Sequence, residues 1–204
     1  SVVACGKKEE EAETQESDTE TEASDECALE LRKEIATSSY TVTGIGKSTD
    51  AELVIPDSYN DLPITKIDDK AFWGCSQITS VKIGKNVESI GANAFAECSS
   101  LKRAELPDAV MKIGERAFFS CPSLESVTVG SKIRKIEASA FEKCKALKSV
   151  ALPESLAALG NSAFFECESL ESVTLGDKAI EMGLSVFDKT EMLKDKDKWE
   201  NGVL

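Results

Sequence analysis

The chain has 204 residues, of which 41% are hydrophobic, and it carries a net charge of −13 without a single histidine. This length suits one elongated domain, and the acidic balance disfavours nucleic-acid binding, which needs a basic face. The lack of histidine removes the commonest metal ligand and the usual base for a cysteine nucleophile. We therefore expect no nucleic-acid partner, no metal and no cofactor.

Residues 1–26 are predicted to form an acidic, disordered linker. They contain ten acidic residues and two lysines, and they show no apolar period. A segment of this composition cannot bury a core.

Within this segment, the run Val2-Val3-Ala4-Cys5-Gly6 resembles a bacterial lipobox. The resemblance implies that Cys5 is lipidated as the first residue of the mature protein and that the chain given is trimmed. Because no run of about 20 apolar residues exists to span a bilayer, we expect membrane attachment only through this anchor. The predicted location is the extracellular face of a bacterial membrane, with secretion as the alternative.

Residues 27–66 are predicted to form an N-terminal β cap and the first strand, from runs such as Leu53-Val54-Ile55-Pro56. Just before that run, Gly44-Ile45-Gly46-Lys47-Ser48 resembles the end of a phosphate-binding P-loop. The motif requires a helix to follow, whereas a strand is predicted there. We therefore interpret it as a turn between two strands.

From Ile67 onward, three apolar columns return every 23 residues. The first is Phe72, Phe95, Phe118, Phe141, Phe164 and Phe187; the second is Cys75, Cys98, Cys121, Cys144 and Cys167; the third is Ile67, Ile90, Ile113, Ile136, Leu159 and Met182. A fixed period of this size is typical of stacked repeats. We predict five 23-residue repeats plus a degenerate sixth over residues 67–198, and the truncated start of a further segment over 199–204.

Each repeat is predicted to contain one short strand and about one turn of helix. Val127 and Val129 alternate as in a strand, whereas Ala117, Phe118 and Cys121 have helical spacing. Stacking such units gives an α/β solenoid, with parallel strands on one side and short helical turns on the other.

The pattern I-G-x-x-A-F-x-x-C-x-x-L-x-S-V-x-L-P resembles the BspA-like leucine-rich repeats of bacterial surfaces. It occurs here as Ile90-Gly91, Ala94-Phe95, Cys98, Leu101, Ala104 and Leu106-Pro107. The resemblance covers roughly residues 29–204. It implies a right-handed leucine-rich repeat horseshoe with an extracellular recognition role, and it supplies no catalytic residues, so we expect no enzymatic activity.

The cysteine column is interpreted as a ladder of buried thiols that act as small apolar filler. Stacked equivalent positions have near-parallel side chains, which are poorly placed for a disulfide. Metal or redox chemistry is the alternative, and Cys27 is either free or paired.

The outward residues of the strands are the predicted ligand-binding surface, on the concave face of the horseshoe. These residues are Ser80, Lys82, Arg103, Glu105, Ser126, Thr128, Ser149, Ser172 and Thr174. Only Arg103 belongs to the residue types that favour binding hot spots. The alternative is a solvated face with no ligand.

Every second repeat is alike, which indicates a 46-residue double repeat. Strand ends alternate proline and glycine, the residue after the buried leucine alternates lysine and glutamate, and Trp73, Phe119 and Phe165 follow the buried phenylalanine. We expect these three aromatics to form a row on the convex side, about 10 Å apart. The row is an alternative binding surface or packs against the repeats between.

The leading functional hypothesis is a non-enzymatic surface protein that recognises an extracellular protein or glycan. One alternative is a structural spacer that presents a further domain beyond the C-terminus. Another is an accessory or inhibitor module for secreted enzymes.

Overall fold

A computed structural model describes residues 28–176 and 178–194. The predictions for residues 1–26, Cys5, Cys27 and residues 199–204 lie outside the described residues. The strands are β1 (Glu30–Glu34), β2 (Ser39–Gly44), β3 (Glu52–Val54), β4 (Ser58–Tyr59), β5 (Leu62–Ile67), β6 (Ser80–Lys82), β7 (Ser89–Ile90), β8 (Arg103–Glu105), β9 (Lys112–Ile113), β10 (Ser126–Thr128), β11 (Lys135–Ile136), β12 (Ser149–Ala151), β13 (Ala158–Leu159), β14 (Ser172–Thr174) and β15 (Glu181–Met182), followed by a 3-10 helix (Glu191–Lys194).

The strands form two sheets that run along the stacked repeats. The six-stranded sheet has the order β3-β6-β8-β10-β12-β14, and all its strands are parallel. The nine-stranded sheet runs β1-β2-β5-β7-β9-β11-β13-β15, with β4 paired to β5. From β5 onward it is also parallel along this path. The predicted solenoid of parallel strands is confirmed.

The register of both sheets places equivalent repeat positions beside each other. Ser126 pairs with Arg103 on one side and Ser149 on the other, and Lys135 pairs likewise with Lys112 and Ala158. Each partner is 23 residues away, so one repeat makes one coil. A column of the sequence is therefore a row of neighbouring side chains.

The prediction of one strand per repeat was incomplete, because each full coil contributes one strand to each sheet. The missed strands, such as Lys112–Ile113 and Lys135–Ile136, have two residues each. A two-residue strand is too short to show a period of two, so its signal is confined to the column of buried isoleucines.

The predicted helical turns are not confirmed: the described repeats contain turns in place of α-helix. In the first coil, the N–H groups of Lys70, Phe72 and Gly74 donate to carbonyls of the next coil at 2.7–2.9 Å. The N–H groups between them donate three residues back along the chain, as from Trp73 to Lys70. An α-helix needs every N–H to bond four residues back, and a segment that shares its donors with the next coil cannot meet that requirement.

The conformation of these turns repeats from coil to coil. Lys70 and Gly74 have φ of +61° and +70°, and Asn93 and Glu97 repeat the pattern with +55° and +61°. Residues with positive φ interrupt any helix. The helical spacing of Ala117, Phe118 and Cys121 nevertheless predicts burial correctly, since all three are fully buried.

The phenylalanine column is a continuous stack of rings through the middle of the solenoid. Adjacent ring centroids are 4.9–5.6 Å apart, and the ring planes are within 15° of parallel. Stacking in this distance range contributes about 0.5–1.5 kcal/mol per pair beyond the burial itself. The predicted single file is confirmed, whereas right-handedness and horseshoe curvature stay predictions.

The four inner thiols of the cysteine column are buried and more than apolar filler. Cys98, Cys121, Cys144 and Cys167 each donate their S–H to a phenylalanine carbonyl of the preceding coil, at 3.1–3.2 Å. Burial raises the pKa of Cys98 and Cys144 and raises that of Cys167 to about 12. None of the described cysteines, 75 to 167, forms a disulfide, as predicted for them, whereas the lack of metal or redox chemistry stays a prediction.

Steric contact with the preceding coil explains two of the glycines that alternate with proline at strand ends. A Cβ on Gly130 would collide with the carbonyl oxygen of Pro107 in the preceding coil, and Gly84 has the same relation to Pro56. Side chains are excluded at these two glycines because backbone of the coil before occupies the space.

Candidate functional site: two outward surfaces of the solenoid

The first surface, here called the strand face, is the outer side of the six-stranded sheet. Val81, Ala104 and Val150 point inward and are buried, and their neighbours in the same strands point outward. The outward residues are Glu52, Val54, Ser80, Lys82, Arg103, Glu105, Ser126, Thr128, Ser149, Ala151, Ser172 and Thr174, all exposed except the half-buried Ser80. All nine residues predicted for the concave face lie here.

Charge divides the strand face into two parts. The N-terminal part holds Glu52, Lys82, Arg103 and Glu105, and Lys82 and Glu105 are register partners. From β10 onward the outward residues are hydroxyls, apart from Ala151 in β12. The charged side chains that could recognise a ligand on this face are therefore concentrated on β3, β6 and β8.

A further column beside the strand face alternates Lys102, Glu125, Lys148 and Glu171, all exposed. The nitrogen and oxygen atoms of successive members form no ion pair within 4.0 Å in the described chain. Exposed pairs of this kind contribute little to stability, which leaves their side chains available to solvent or a ligand.

The second surface, here called the turn face, is the outer side of the stacked turns. It carries Trp73, Phe119 and Phe165 in one column, with Ala96 and Glu142 in the coils between them. The Trp73 side chain is 53% exposed, and Phe119 and Phe165 are half-buried. Ala96 is only 1% exposed.

Cations lie over all three rings. Lys70 Nζ is 5.4 Å from the Trp73 ring centroid, and Lys189 Nζ is 4.8 Å from that of Phe165. Phe119 has two, Arg116 at 5.3 Å and Lys143 at 5.2 Å. Such contacts contribute about 0.5–1 kcal/mol at exposed sites. The row is thus partly packed and partly accessible to solvent, and a binding role for it stays a prediction.

A third outward surface, on the nine-stranded sheet, escaped sequence reasoning. Lys112 and Lys135 are direct register partners there. The carboxylate of Glu137 forms an ion pair with each of them, with Nζ–Oε distances of 2.9 and 3.0 Å. Burial raises the pKa of Glu137, but the hydrogen bonds from the two lysines outweigh it and hold the pKa below its usual value. The signal was the lysine at the same repeat position in two successive units.

Neither a metal centre nor a membrane span appears in the described part of the chain. Residues 28–176 and 178–194 bring together no group of three or more Asp, Glu, Cys or His side chains suited to a metal ion. The same residues include no helix with the length and apolarity needed to cross a bilayer.

Solved structures of three bacterial proteins are similar to this chain. A leucine-rich repeat protein from Treponema pallidum matches with a TM-score of 0.67 and 24% identity, covering 79% of this chain and 86% of that one. A leucine rich cell surface protein from Faecalibacterium prausnitzii matches with a TM-score of 0.73 and 28% identity, covering 86% and 47%. A leucine-rich repeat protein from Bacteroides ovatus matches with a TM-score of 0.69 and 30% identity, covering 80% and 44%. The chain thus spans less than half the length of the last two.

No curated protein matches the chain significantly. The sequence profile described as the BspA type leucine rich repeat region matches residues 65–194 in 6 copies, which are the coils seen in the fold. The chain is therefore a member of the BspA-type leucine-rich repeat family.

Proposed function

We propose that this protein is a non-enzymatic recognition protein of the bacterial cell surface. It binds an extracellular protein or glycan through the strand face, and a lipid on Cys5 holds it at the membrane. Leucine-rich repeat proteins are generally scaffolds for interactions, and one similar protein is described as a cell surface protein.

The observation that carries the proposal is the charged part of the strand face. Lys82, Arg103 and Glu105 are exposed on adjacent strands that are held in parallel register. The backbone beneath them is fixed by neighbours on both sides and by a buried core, so binding orders little besides the side chains themselves. Preorganised charges on a sheet of fixed register suit a ligand with complementary charges.

The test is a binding screen of the full chain against immobilised extracellular-matrix proteins and a glycan array. The double variant Lys82→Ala, Arg103→Ala is compared with Lys132→Ala, Arg134→Ala, whose side chains are exposed in the segment just before β11. Both variants remove one lysine and one arginine. We expect the first to weaken binding about 10-fold, the effect of losing a hot-spot residue, and the second to leave it unchanged.

Equal loss in both variants would mean that binding follows net charge and would contradict a site on the strand face. Absence of any ligand in the screen would favour the structural spacer. The anchor is tested separately by detergent-phase partitioning of the protein expressed with a lipoprotein signal, which Cys5→Ala should abolish.

A further inference from the structure

The three aromatic residues of the turn face have a spacing that the coils impose. Stacked rings in successive coils are 4.9–5.6 Å apart, and Trp73, Phe119 and Phe165 occur in every second coil. The step along the row is therefore about 10 Å, or two strand spacings. A ligand that contacts all three rings must offer an apolar surface at the same interval.

We propose that the turn face binds an extended, neutral, equatorially linked polysaccharide whose sugar rings stack on Trp73, Phe119 and Phe165. A pyranose ring has C–H groups on its faces and hydroxyls around its rim, which suits an aromatic platform with a polar border. In such a chain, each sugar is rotated relative to the last, so every second sugar presents the same face. The step between the rings, roughly 10 Å or two strand spacings, is comparable to the length of two sugar units.

The groups around the rings are suited to the hydroxyl rims of sugars. Arg116 and Lys143 lie over the Phe119 ring, and Lys189 lies over the Phe165 ring. A stacking sugar displaces these cations, whose N–H groups then donate to its hydroxyls. Glu142, between the two phenylalanines, supplies carboxylate acceptors, and Lys143 is 3.7 Å from it. Lys143 pairs with Glu142 and Lys189 pairs with Glu166, so two of the cations around the phenylalanines are already neutralised, which favours a neutral chain over an acidic one.

The same arrangement is unfavourable for a protein partner. A protein interface has a continuous apolar centre from which water is excluded. Here Glu142 separates Phe119 from Phe165, and Ala96, almost fully covered, separates Trp73 from Phe119. The apolar contacts are therefore discrete and periodic, as the contacts of a polymer of sugars are.

This site rests on the proposed recognition function but lies on a different surface from the strand face. The test uses the full chain with Trp199→Phe, so that Trp73 is the sole tryptophan and reports on its own surroundings. Cello-oligosaccharides and chito-oligosaccharides of two to six units are titrated, and Trp73 emission and calorimetric heat are followed. Affinity should rise with length until the ligand spans the three rings, about 20 Å or five sugar units, and then level off.

The variants Trp73→Ala and Phe165→Ala should each weaken binding of the hexasaccharides about five-fold and move the plateau to shorter ligands. Trp73→Tyr, which keeps a ring, should restore most of the affinity. Met111→Ala, which removes an exposed apolar side chain just before β9, serves as the matched control. Thermal unfolding verifies that each variant is folded.

Four outcomes would overturn the site. These are no emission change or heat at millimolar sugar, affinity independent of length, ring variants that bind as before, and ring variants that lose only a protein ligand. If sugar binding falls with Lys82→Ala, Arg103→Ala and not with the ring variants, the sugar occupies the strand face. That result would refute this site while leaving the proposed function intact.

Discussion

Each inner phenylalanine of the stacked column contacts a ring above and a ring below, so its removal affects two coils. Phe118 lies 5.1 Å from Phe95 and 5.2 Å from Phe141, measured between ring centroids, and it is fully buried. Phe119, the next residue, points outward and is half-buried. Adjacent residues of identical chemistry therefore have different roles, which makes them a matched pair.

Phe118→Ala should lower the free energy of unfolding by about 3–5 kcal/mol, because it removes a buried ring and leaves a cavity between two others. Phe119→Ala should cost roughly 1 kcal/mol, since it loses partial burial and contacts with two cations. Denaturant unfolding followed by circular dichroism measures both. An equal loss of unfolding free energy in both variants would contradict the assignment of Phe118 to the buried ring stack and of Phe119 to the surface.

At this scale the sequence predicts much of the structure. The 23-residue columns identify the buried phenylalanines, isoleucines and cysteines, because a core position must recur in every coil. They do not reveal that a thiol such as that of Cys121 donates to the carbonyl of Phe95. That contact depends on the offset between neighbouring coils, which a column of identical residues does not encode.

The short strands of the nine-stranded sheet show how an element can be stable without intrinsic propensity. Lys112–Ile113 and Lys135–Ile136 have two residues each and face each other with like charges. Glu137 lies between the lysines and neutralises the repulsion. Its side chain is only 21% exposed, so the carboxylate is partly shielded from competing water.

The lowered pKa of Glu137 predicts how this element responds to acid. Folding favours the ionised carboxylate, so its contribution is complete above the unfolded pKa of about 4.3 and is lost as the pH falls through the lower folded value. Glu137→Gln should reduce the free energy of unfolding by roughly 0.5–1 kcal/mol near pH 7. The deficit should shrink toward pH 3.

Denaturant titrations of the wild type and the variant at several pH values measure this difference. Glu181→Gln, in the same sheet and exposed, is the control and should show a smaller effect. A deficit in Glu137→Gln that does not change between pH 7 and pH 3 would show that the carboxylate charge is unimportant there.

Prediction from sequence was least successful for the secondary-structure elements of each repeat. The spacing of Ala117, Phe118 and Cys121 is the same in a helical turn and in the overlapping turns observed. The helical turn and the observed turns differ in the acceptors of their backbone N–H groups: that of Phe118, for example, donates to the carbonyl of Ala140 in the next coil. Periodicity indicates which side is buried but does not indicate which carbonyl accepts each hydrogen bond.

Along the whole molecule, each coil depends on its immediate neighbours. The ring pair at the C-terminal end, Phe164 and Phe187, is the widest of the stack at 5.6 Å and the least parallel at 15°. Val173 and Met182 in the last coil are partly exposed, whereas Val150 and Leu159 one coil earlier are buried. In a stacked array, stability should therefore decrease toward this end.

Amide hydrogen exchange should reveal this gradient. The Phe118 amide donates to Ala140 at 2.8 Å, and the Phe164 amide donates to Val186 at 2.9 Å. The bonds are alike, so a difference in protection reports the opening of coils and not the strength of a bond. We expect Phe164 to exchange at least 10-fold faster, and equal protection would indicate that the array opens as one unit.

For the molecule as a whole, the architecture of stacked parallel coils follows from the period alone, but the surfaces do not. The strand face was predictable because residues such as Arg103 and Glu105 flank a buried alanine. The cations over the rings were harder to foresee, since Lys143 lies 24 residues from Phe119 and meets it only because their coils are adjacent in the stack.

The common register of both sheets has a consequence for how such a chain can change in length. Adding or deleting one amino acid within a coil would slide every later side chain out of line with its counterparts, so that rings would meet carboxylates and interior positions would turn toward water. The chain can therefore gain or lose residues without disruption only in whole coils. Because proline and glycine alternate at strand ends, the least disruptive insertion or deletion is a pair of coils, or 46 residues.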